Sequence, residues 1–245
     1  MQTRVDEIAP NVYRISTYIR EINLQFNQFL VKDEQPLLWE TGMKALFPAV
    51  REAVSKVVSP ESIRWVGYSH YEPDECGSLN EWLGLASQAE GFCTEIGAIV
   101  FANDAALRPV RGIGKSETIA TGKYRLRLHP TPHLPHGWDA GMLFEETNAT
   151  LLCSDLFTHN GDVEPSTHGD IVGRFSASLK TYQATPPFMD YMPWTTRTSG
   201  QLRELAALRP KTCATMHGST YIGDGAQALL DLGAAMEEVL GRTPK

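Results

Sequence analysis

The alternation of apolar and polar residues predicts strands at the start of the chain. Val12 to Ile19 alternates with a period of two, which is typical of a half-buried strand. Two further apolar runs, Phe26 to Val31 and Pro36 to Gly42, are separated by the polar turn Asp33-Glu34-Gln35 and predict a hairpin. The stretch from Leu46 to Val58 carries apolar residues at helical spacing instead. The chain is therefore expected to begin with strands and to continue into a helix.

Strand and helix patterns alternate over the remaining sequence. The apolar run Glu95 to Ala102 predicts a strand, and Asn103 to Ser116 is expected to form a loop or a short helix. Helices are predicted from about Leu79, at Ile171 to Ala184, at Ser199 to Leu208 and at Ala226 to Leu240. The other predicted strands are Ile63–Tyr68, Thr118–Ala120, Tyr124–Leu128, Gly141–Glu145, Thr150–Ser154 and Lys211–Met216.

This order of elements predicts an α/β protein with two mixed sheets. Strands come first, and each half of the chain ends in helices. Two sheets packed face to face with helices outside, an αβ/βα sandwich, bury the apolar faces of all these elements. The 245 residues are 42% hydrophobic, which suffices for one sizeable core, and we expect a single domain over residues 1–245.

Composition and charge exclude several classes of protein. The net charge is −7, and the only basic cluster, Lys123 to Arg127, alternates like a strand, so nucleic acid is not an expected partner. No apolar run reaches the length of a membrane span, and the N-terminus lacks the apolar core of a signal peptide, so a cytoplasmic location is expected. The four cysteines form no Cys-x-x-Cys pair and indicate neither a disulfide framework nor a zinc knuckle.

The stretch after the predicted strand Ile63–Tyr68 is rich in groups that bind metals. It carries an imidazole, three carboxylates and a thiol within seven residues: His70, Glu72, Asp74, Glu75 and Cys76. Carboxylate and imidazole groups donate lone pairs to hard and borderline cations. Taken alone, this stretch is equally well explained as a solvated acidic loop.

Three further loops present candidate ligands directly after predicted strands. They carry His133 or His136, then Asp155, then His217. Residues at strand ends converge on one edge of a sheet, where ligand sites lie in such folds. A lone histidine is more often a hydrogen-bonded structural residue, and we keep that interpretation for His129, His159 and His168. The joint pattern of the other residues predicts a metal site.

These motifs resemble the metallo-β-lactamase superfamily and, within it, the di-iron domain of flavodiiron proteins. Where the family has His-x-Glu-x-Asp-His, this chain has His70-Tyr71-Glu72-Pro73-Asp74-Glu75, which matches at every ligand position but the last. Glu72 separates flavodiiron-like members from the zinc hydrolases, which carry histidine there. His136 is preferred to His133 because its separation from Asp155 is like the family's, and His133 is left as an outer partner. The resemblance covers nearly the whole chain, including Asn27 and the stretch with Tyr182 and Tyr191.

The resemblance implies a set of seven candidate ligands for two metal ions. The first ion would take His70, Glu72, His136 and Asp155. The second would take Asp74, His217 and the bridging Asp155, and whether Glu75 also ligates is left open. A carboxylate-rich set without thiolate suits two iron ions, with manganese or zinc as alternatives.

Two residues depart from the family pattern. Glu75 stands where the family has histidine, and Glu40 stands where the superfamily has aspartate. We expect Glu40 to hold the first loop by hydrogen bonds. Aromatic residues next to ligands are expected to form an apolar wall around the metals or simply to pack in the core: Tyr71, Trp138, Phe157 and Tyr221.

The function implied by the resemblance is that of a stand-alone flavodiiron-like oxidoreductase without the flavin domain. Such a protein binds O2 or NO at a non-haem di-iron centre, for reduction or sensing, with electrons from an external electron-transfer protein, and the family is usually homodimeric. A metal-dependent hydrolase is the main alternative, because the fold is shared with such enzymes and does not fix function. A binding module with a degenerate centre is a third, raised by Glu40 and Glu75.

Overall fold

The computed structural model describes residues 2–115 and 117–241. It contains two seven-stranded sheets, each with parallel and antiparallel pairs. The first sheet follows chain order and consists of β1 (Thr3–Ala9), β2 (Val12–Ile19), β3 (Leu24–Val31), β4 (Leu37–Trp39), β5 (Trp65–Gly67), β6 (Glu90–Thr94) and β7 (Val110–Ile113).

The second sheet is built from the later half of the chain in the order β12-β14-β13-β11-β10-β9-β8. Its parallel pairs are β11 with β13 and β12 with β14. Its strands are β8 (Thr118–Ala120), β9 (Arg125–Pro130), β10 (Gly141–Glu145), β11 (Thr150–Leu152), β12 (Ser166–Thr167), β13 (Thr212–Ala214) and β14 (Thr220–Ile222).

Helices cover the outer faces of both sheets. The apolar sides of α1 and α3 pack on the first sheet, and those of α6, α7 and α8 pack on the second. The helices are α1 (Phe47–Ser55), α2 (Pro73–Cys76), α3 (Leu79–Leu85), α4 (Glu95–Gly97), α5 (Asn103–Ala105), α6 (Ile171–Gln183), α7 (Thr198–Ala206) and α8 (Gly225–Leu240), with a π-helical turn at Ala98–Ala102.

A third apolar layer fills the space between the sheets. Phe29, Trp39 and Phe92 from the first sheet lie in one cluster with Leu126 and Leu143 from the second, and all five are buried. The αβ/βα sandwich expected from the sequence is confirmed, as are the early hairpin and the long helices.

Some predicted elements were wrong. Glu95 to Ala102, expected to be a strand, is helical, because the Thr94 hydroxyl accepts a hydrogen bond from the Gly97 amide (3.1 Å) and starts a helix there. The strand is the preceding β6. The strand β7 lies within Asn103 to Ser116 and was not predicted, and Ser116 itself lies outside the described residues. The short strands β12 and β14 and the first strand, β1, were not predicted either.

Among the helices that the structure describes, none is both long enough and apolar enough to cross a lipid bilayer.

The close packing of β5 predicts a stability difference between two glycine substitutions. A methyl group on Gly67 would overlap the Phe92 ring, which is fully buried between the sheets. Gly67→Ala should therefore destabilise the fold by about 1–3 kcal/mol. Gly200→Ala, in α7 with open space around it, should be neutral or stabilising by up to about 1 kcal/mol. Urea unfolding of both variants measures the difference, and equal stabilities would contradict the packing described for β5.

Candidate metal centre

The loops that carry the predicted ligands all leave the same edge of the sandwich. Hydrogen bonds between their backbones join them: the Gly141 amide donates to Ser69 O (2.9 Å), and the Met216 amide donates to Ser154 O (2.8 Å). The Asn27 amide, in β3 of the first sheet, donates to Met216 O (3.0 Å). Ligand loops from both sheets are therefore parts of one rigid edge.

Four side chains converge on a first point at this edge. His70 Nε2 lies 2.9 Å from His136 Nε2, and His136 Nε2 lies 3.2 Å from Glu72 Oε1. Asp155 Oδ2 lies 3.3 Å from His136 Nε2 and 3.6 Å from His70 Nε2. Two imidazole nitrogens at this separation require a shared proton or a cation between them and the carboxylates.

A second point lies on the other side of Asp155. His217 Nε2 is 3.2 Å from Asp155 Oδ1 and 3.3 Å from Asp74 Oδ2. Ligand atoms of Asp74, Glu75 and His217 lie within 4.8 Å of one another. Asp155 therefore directs one oxygen to each point, the arrangement that a bridging carboxylate needs.

The far nitrogens of two of these imidazoles are held by protein groups. His217 Nδ1 lies 2.8 Å from Gln25 O, a carbonyl, so Nδ1 carries a hydrogen and Nε2 is the nitrogen left to face Asp155 and Asp74. His70 Nδ1 lies 3.0 Å from Ser69 Oγ and 3.3 Å from Ser154 Oγ. Such outer partners orient metal-binding histidines in proteins, and here they turn both Nε2 atoms toward the cluster.

The imidazoles and carboxylates stabilise one another's charged forms. Burial raises the pKa of Asp155, but the hydrogen bond and charge of His217 outweigh it and lower this pKa to about 2. Burial likewise lowers the pKa of His217, and its contacts with Asp155 and Asp74 reverse the shift and raise the pKa to about 10. His136 and His70 hold the pKa of Glu72 well below its usual range. The carboxylates thus attract protons to the same nitrogen atoms that would bind a cation.

The buried acid Glu75 lacks such compensation. Burial, followed by the charges of Asp155 and Asp74, raises the pKa of Glu75 well above its usual range. Among the described residues, no N–H or hydroxyl donates to either Glu75 oxygen, and the charges of Asp155, Asp74 and Glu40 all act to raise its pKa. Glu75 Oε2 lies 4.0 Å from His70 Nε2, so this carboxylate faces both points of the cluster.

Glu40 has the role expected of it. Its carboxylate is fully buried, and Oε2 accepts a hydrogen bond from the Ser69 amide (3.1 Å), next to His70. Burial raises the pKa of Glu40 well above its usual range. The longer glutamate therefore still reaches the loop that the usual aspartate would hold.

Asp139 holds two of the ligand loops together, and the sequence did not single it out. Its Oδ2 accepts a hydrogen bond from the Tyr71 amide (2.9 Å), and its carbonyl accepts one from Thr94 Oγ1 (2.6 Å). It thereby joins the loop of His136 to the loop of Glu72. Its place in the turn after His136 was the only signal in the sequence.

The cluster lies in a cavity of about 670 Å³. One side consists of the ligands, and the other is a wall of Ile22, Leu24, Tyr182, Phe188 and Tyr191, which we call the apolar wall. The ring of Tyr191 lies 5.9 Å from that of His136. Among the residues that the structure describes, those lining the cavity include no lysine or arginine: Ile22, Leu24, Glu72, Asp74, His136, Asp155, Thr158, Tyr182, Phe188, Tyr191 and His217.

The aromatic residues expected around the metals lie elsewhere. Tyr71 and Trp138 are 39% and 51% exposed and contact Phe101 on the outer surface. Phe157 packs in the core beneath the second sheet, and Tyr221 belongs to β14. His133 is exposed, so it is not the outer partner that the sequence suggested. Side chains next to a ligand in sequence point away from it, since adjacent residues face different directions.

The fold and this edge define a metallo-β-lactamase-like protein with candidate metal-binding groups. Residues 24–218 match the family model described as "ODP family beta lactamase", and the chain belongs to this family.

Relatives and solved structures agree with this family. The flavo-diiron protein FprA2 of Clostridium acetobutylicum is 25% identical over 213 residues, which cover 84% of this chain and 51% of that protein. The chain thus spans about half the length of that relative. The rubredoxin oxygen:oxidoreductase of Desulfovibrio gigas superposes with a TM-score of 0.78 at 16% identity, over 99% of this chain and 63% of that one. The apo chemotaxis sensor ODP of T. denticola superposes with a TM-score of 0.72 at 20% identity, over 94% of this chain and 92% of that one.

The residues at the edge fit a pair of metal ions, and iron is the metal that the flavodiiron resemblance implies. Three observations support this fit. The buried oxygens of Glu75 accept no hydrogen bond from the residues that the structure describes, and the Nε2 atoms of three histidines point into the cluster. The two oxygens of Asp155 face different histidines. Oxygen and imidazole ligands of this kind suit iron.

Removal of bound metal should expose the repulsion among the acids. We expect chelator-treated protein to melt below metal-loaded protein, because a ligand that binds only the folded state stabilises it. In Glu75→Gln the chelated form should melt higher than chelated wild type, by roughly 2–4 °C for each 1 kcal/mol of repulsion removed. The same variant should bind the second metal more weakly. Differential scanning calorimetry with and without metal measures both effects.

Glu52→Gln, on the exposed side of α1, serves as the control and should melt as wild type in both states. A chelated Glu75→Gln protein that melts below chelated wild type would contradict the account of Glu75.

Proposed function

We propose that this protein binds O2 or NO at a non-haem di-iron centre. The observation that carries the proposal is the donor set: Glu72 faces His70 and His136 on one side of Asp155, and Asp74 faces His217 on the other. The carboxylate at Glu72 distinguishes this set from an all-imidazole first site. Carboxylate ligands favour iron or manganese over zinc.

The first iron would be held by His70, Glu72, His136 and Asp155. The second would be held by Asp74, Asp155 and His217, with the Glu75 carboxylate as a further ligand. Reduced iron supplies electrons and open coordination positions for a small diatomic molecule. Asp155 would bridge, since its two oxygens already face the two points.

The lining of the cavity supports an uncharged substrate. The apolar wall lines the same cavity as the ligands. Among the described residues that line the cavity, no lysine or arginine is present to bind an anionic substrate. O2 and NO are small and uncharged, so this lining admits them.

Sensing and reduction are distinguished by the supply of electrons. The chain superposes on 92% of the T. denticola chemotaxis sensor, whereas it covers about half of FprA2. We propose that O2 binding is common to both uses, and that multiple turnovers require an external electron-transfer protein. The resemblance extends the proposal to a homodimer, which sedimentation of the purified protein tests.

A metal-dependent hydrolase is the second candidate. The description of the matched family as a beta lactamase favours it, and two metals flanking one carboxylate can activate water for attack on an ester or amide. The carboxylate of Glu72 and the lack of a cationic residue among the described lining weigh against it. Hydrolysis of chromogenic esters with zinc, manganese or iron added would favour this candidate.

The first test is metal content and the response to O2. Protein purified without oxygen and loaded with Fe(II) should hold about two iron ions per chain and change its optical absorption on titration with O2. Glu72→Ala should lose the response and at least half of the iron. His133→Ala, an exposed histidine outside the cluster, is the control and should behave as wild type. Protein that takes up zinc only and shows no O2-dependent spectral change would contradict the proposal.

The second test separates a sensor from a reductase. With excess chemical reductant and no partner protein, a sensor should consume about one O2 per iron pair and then stop. A reductase that accepts electrons directly should continue for many turnovers. An oxygen electrode measures the stoichiometry, and Glu72→Ala is again the inactive reference.

A further inference from the structure

His159 occupies a buried position between two ligand-bearing loops. It follows Asp155 in the loop after β11, and only 2% of it is exposed. The neighbouring loop, after β13, carries His217, Gly218 and Ser219. The sequence suggested only an ordinary structural histidine at this position.

Hydrogen bonds from His159 span the gap between these loops. Its backbone amide donates to His217 O (3.1 Å). Its ring Nδ1 lies 2.8 Å from Phe157 O, and its ring Nε2 lies 3.0 Å from the Ser219 amide. Since the Ser219 amide can only donate, Nε2 accepts and Nδ1 carries the hydrogen that is donated to Phe157 O. Both ring nitrogens are thus committed to holding backbone.

The His217 loop is shaped to receive this ring. Gly218 has φ +117°, a conformation that side chains rarely adopt, and a methyl group at this position would overlap the His159 ring. On the opposite side, Gly218 O accepts hydrogen bonds from Arg14 Nη2 (2.9 Å) and Asn27 Nδ2 (2.9 Å). The loop is therefore held between the first sheet and the ring of His159.

The two loops are joined on both sides of the ligands. On the N-terminal side of Asp155 and His217, the Met216 amide and Thr215 Oγ1 donate to Ser154 O (2.8 and 3.2 Å). On the C-terminal side of Asp155, His159 bonds to His217 O and to the Ser219 amide. Asp155 and His217 lie between these two sets of bonds, and their separation is fixed by both.

We propose that His159 is a positioning residue that sets the separation of Asp155 from His217 and thereby the affinity for the second metal ion. This inference rests on the proposed di-metal centre. The bond that matters is the one between loops, from the Ser219 amide to the ring Nε2. The bond from Nδ1 to Phe157 O stays within one loop and cannot hold the other.

Two substitutions separate these bonds. In His159→Gln the side-chain oxygen can reach the place of Nε2 and accept from the Ser219 amide. In His159→Asn the shorter side chain can replace only Nδ1, so the side-chain link to the Ser219 amide is lost, while the backbone bond from residue 159 to His217 O remains. Anaerobic Co(II) titration in competition with a chelator should show the second equivalent weakened by about 10–100-fold in His159→Asn. The first equivalent should be unchanged, and His159→Gln should restore most of the second.

His168→Asn is the matched control. His168 is an exposed histidine whose ring also bonds a carbonyl, Ile222 O, at 2.8 Å. This variant should bind both equivalents as wild type. Calorimetry of the metal-free variants reports whether each one is folded, and His159→Gln serves if the asparagine variant unfolds.

The outcomes distinguish the inference from the proposed function. Equal second-site affinity in His159→Asn and wild type overturns the positioning role, and so does equal weakening in the glutamine and asparagine variants. Wild-type protein that binds fewer than two Co(II) ions overturns the di-metal proposal instead. In that case amide exchange of Ser219 still tests the link: the amide should be protected in wild type and His159→Gln and should exchange faster in His159→Asn. Equal exchange in all three overturns it.

Discussion

Asp155 sits where the charges of the candidate centre meet. Its two oxygens face different histidines, at 3.3 Å from His136 Nε2 and 3.2 Å from His217 Nε2. Around it lie Glu72, Asp74 and the buried Glu75, so acids outnumber the imidazoles that can carry a proton. A buried carboxylate without a hydrogen-bond donor destabilises the folded state, and one bound cation can neutralise several such carboxylates at once. The rest of the edge is organised around this requirement.

The two sheets meet that requirement together. The second sheet carries Asp155 and His217, and the first sheet carries His70 and Glu72 in the loop after β5. Backbone and side-chain bonds from one sheet hold the other's loops: Gln25 O orients His217, and Asn27 Nδ2 holds Thr215 O and Gly218 O (2.9 Å each). Because these partners lie on strands, a ligand cannot shift without disturbing a sheet. Such rigidity suits a centre whose metal spacing must be kept.

Much of this arrangement could be predicted from the sequence. The alternation in β2 and the polar turn before Pro36 identified the early antiparallel strands, and the helical spacing in α8 identified the last helix. The resemblance brought His136 and Asp155 together, although no local pattern marks either as a ligand. Spacing cannot show which way a side chain points, so the outward orientation of Trp138 was missed.

The errors have physical causes. Glu95 to Ala102 is a short apolar run, and such runs fit a strand or a helix equally well until the capping bond of Thr94 is known. The interpretation of His159 as a hydrogen-bonded structural histidine is confirmed, but its particular partners, backbone groups of Ser219 and Phe157, leave no signal in the sequence. The apolar wall was missed for the same reason, since Ile22 and Phe188 lie far along the chain from the ligands they face.

We propose that seven side chains gather to hold a pair of iron ions across Asp155. Anomalous diffraction at the iron edge, on crystals of protein purified and loaded without oxygen, would locate these ions. We expect two peaks, one between His70 and His136 and the other beside His217 and Asp74. A single peak away from Asp155, or no peak in protein loaded with iron, would contradict it.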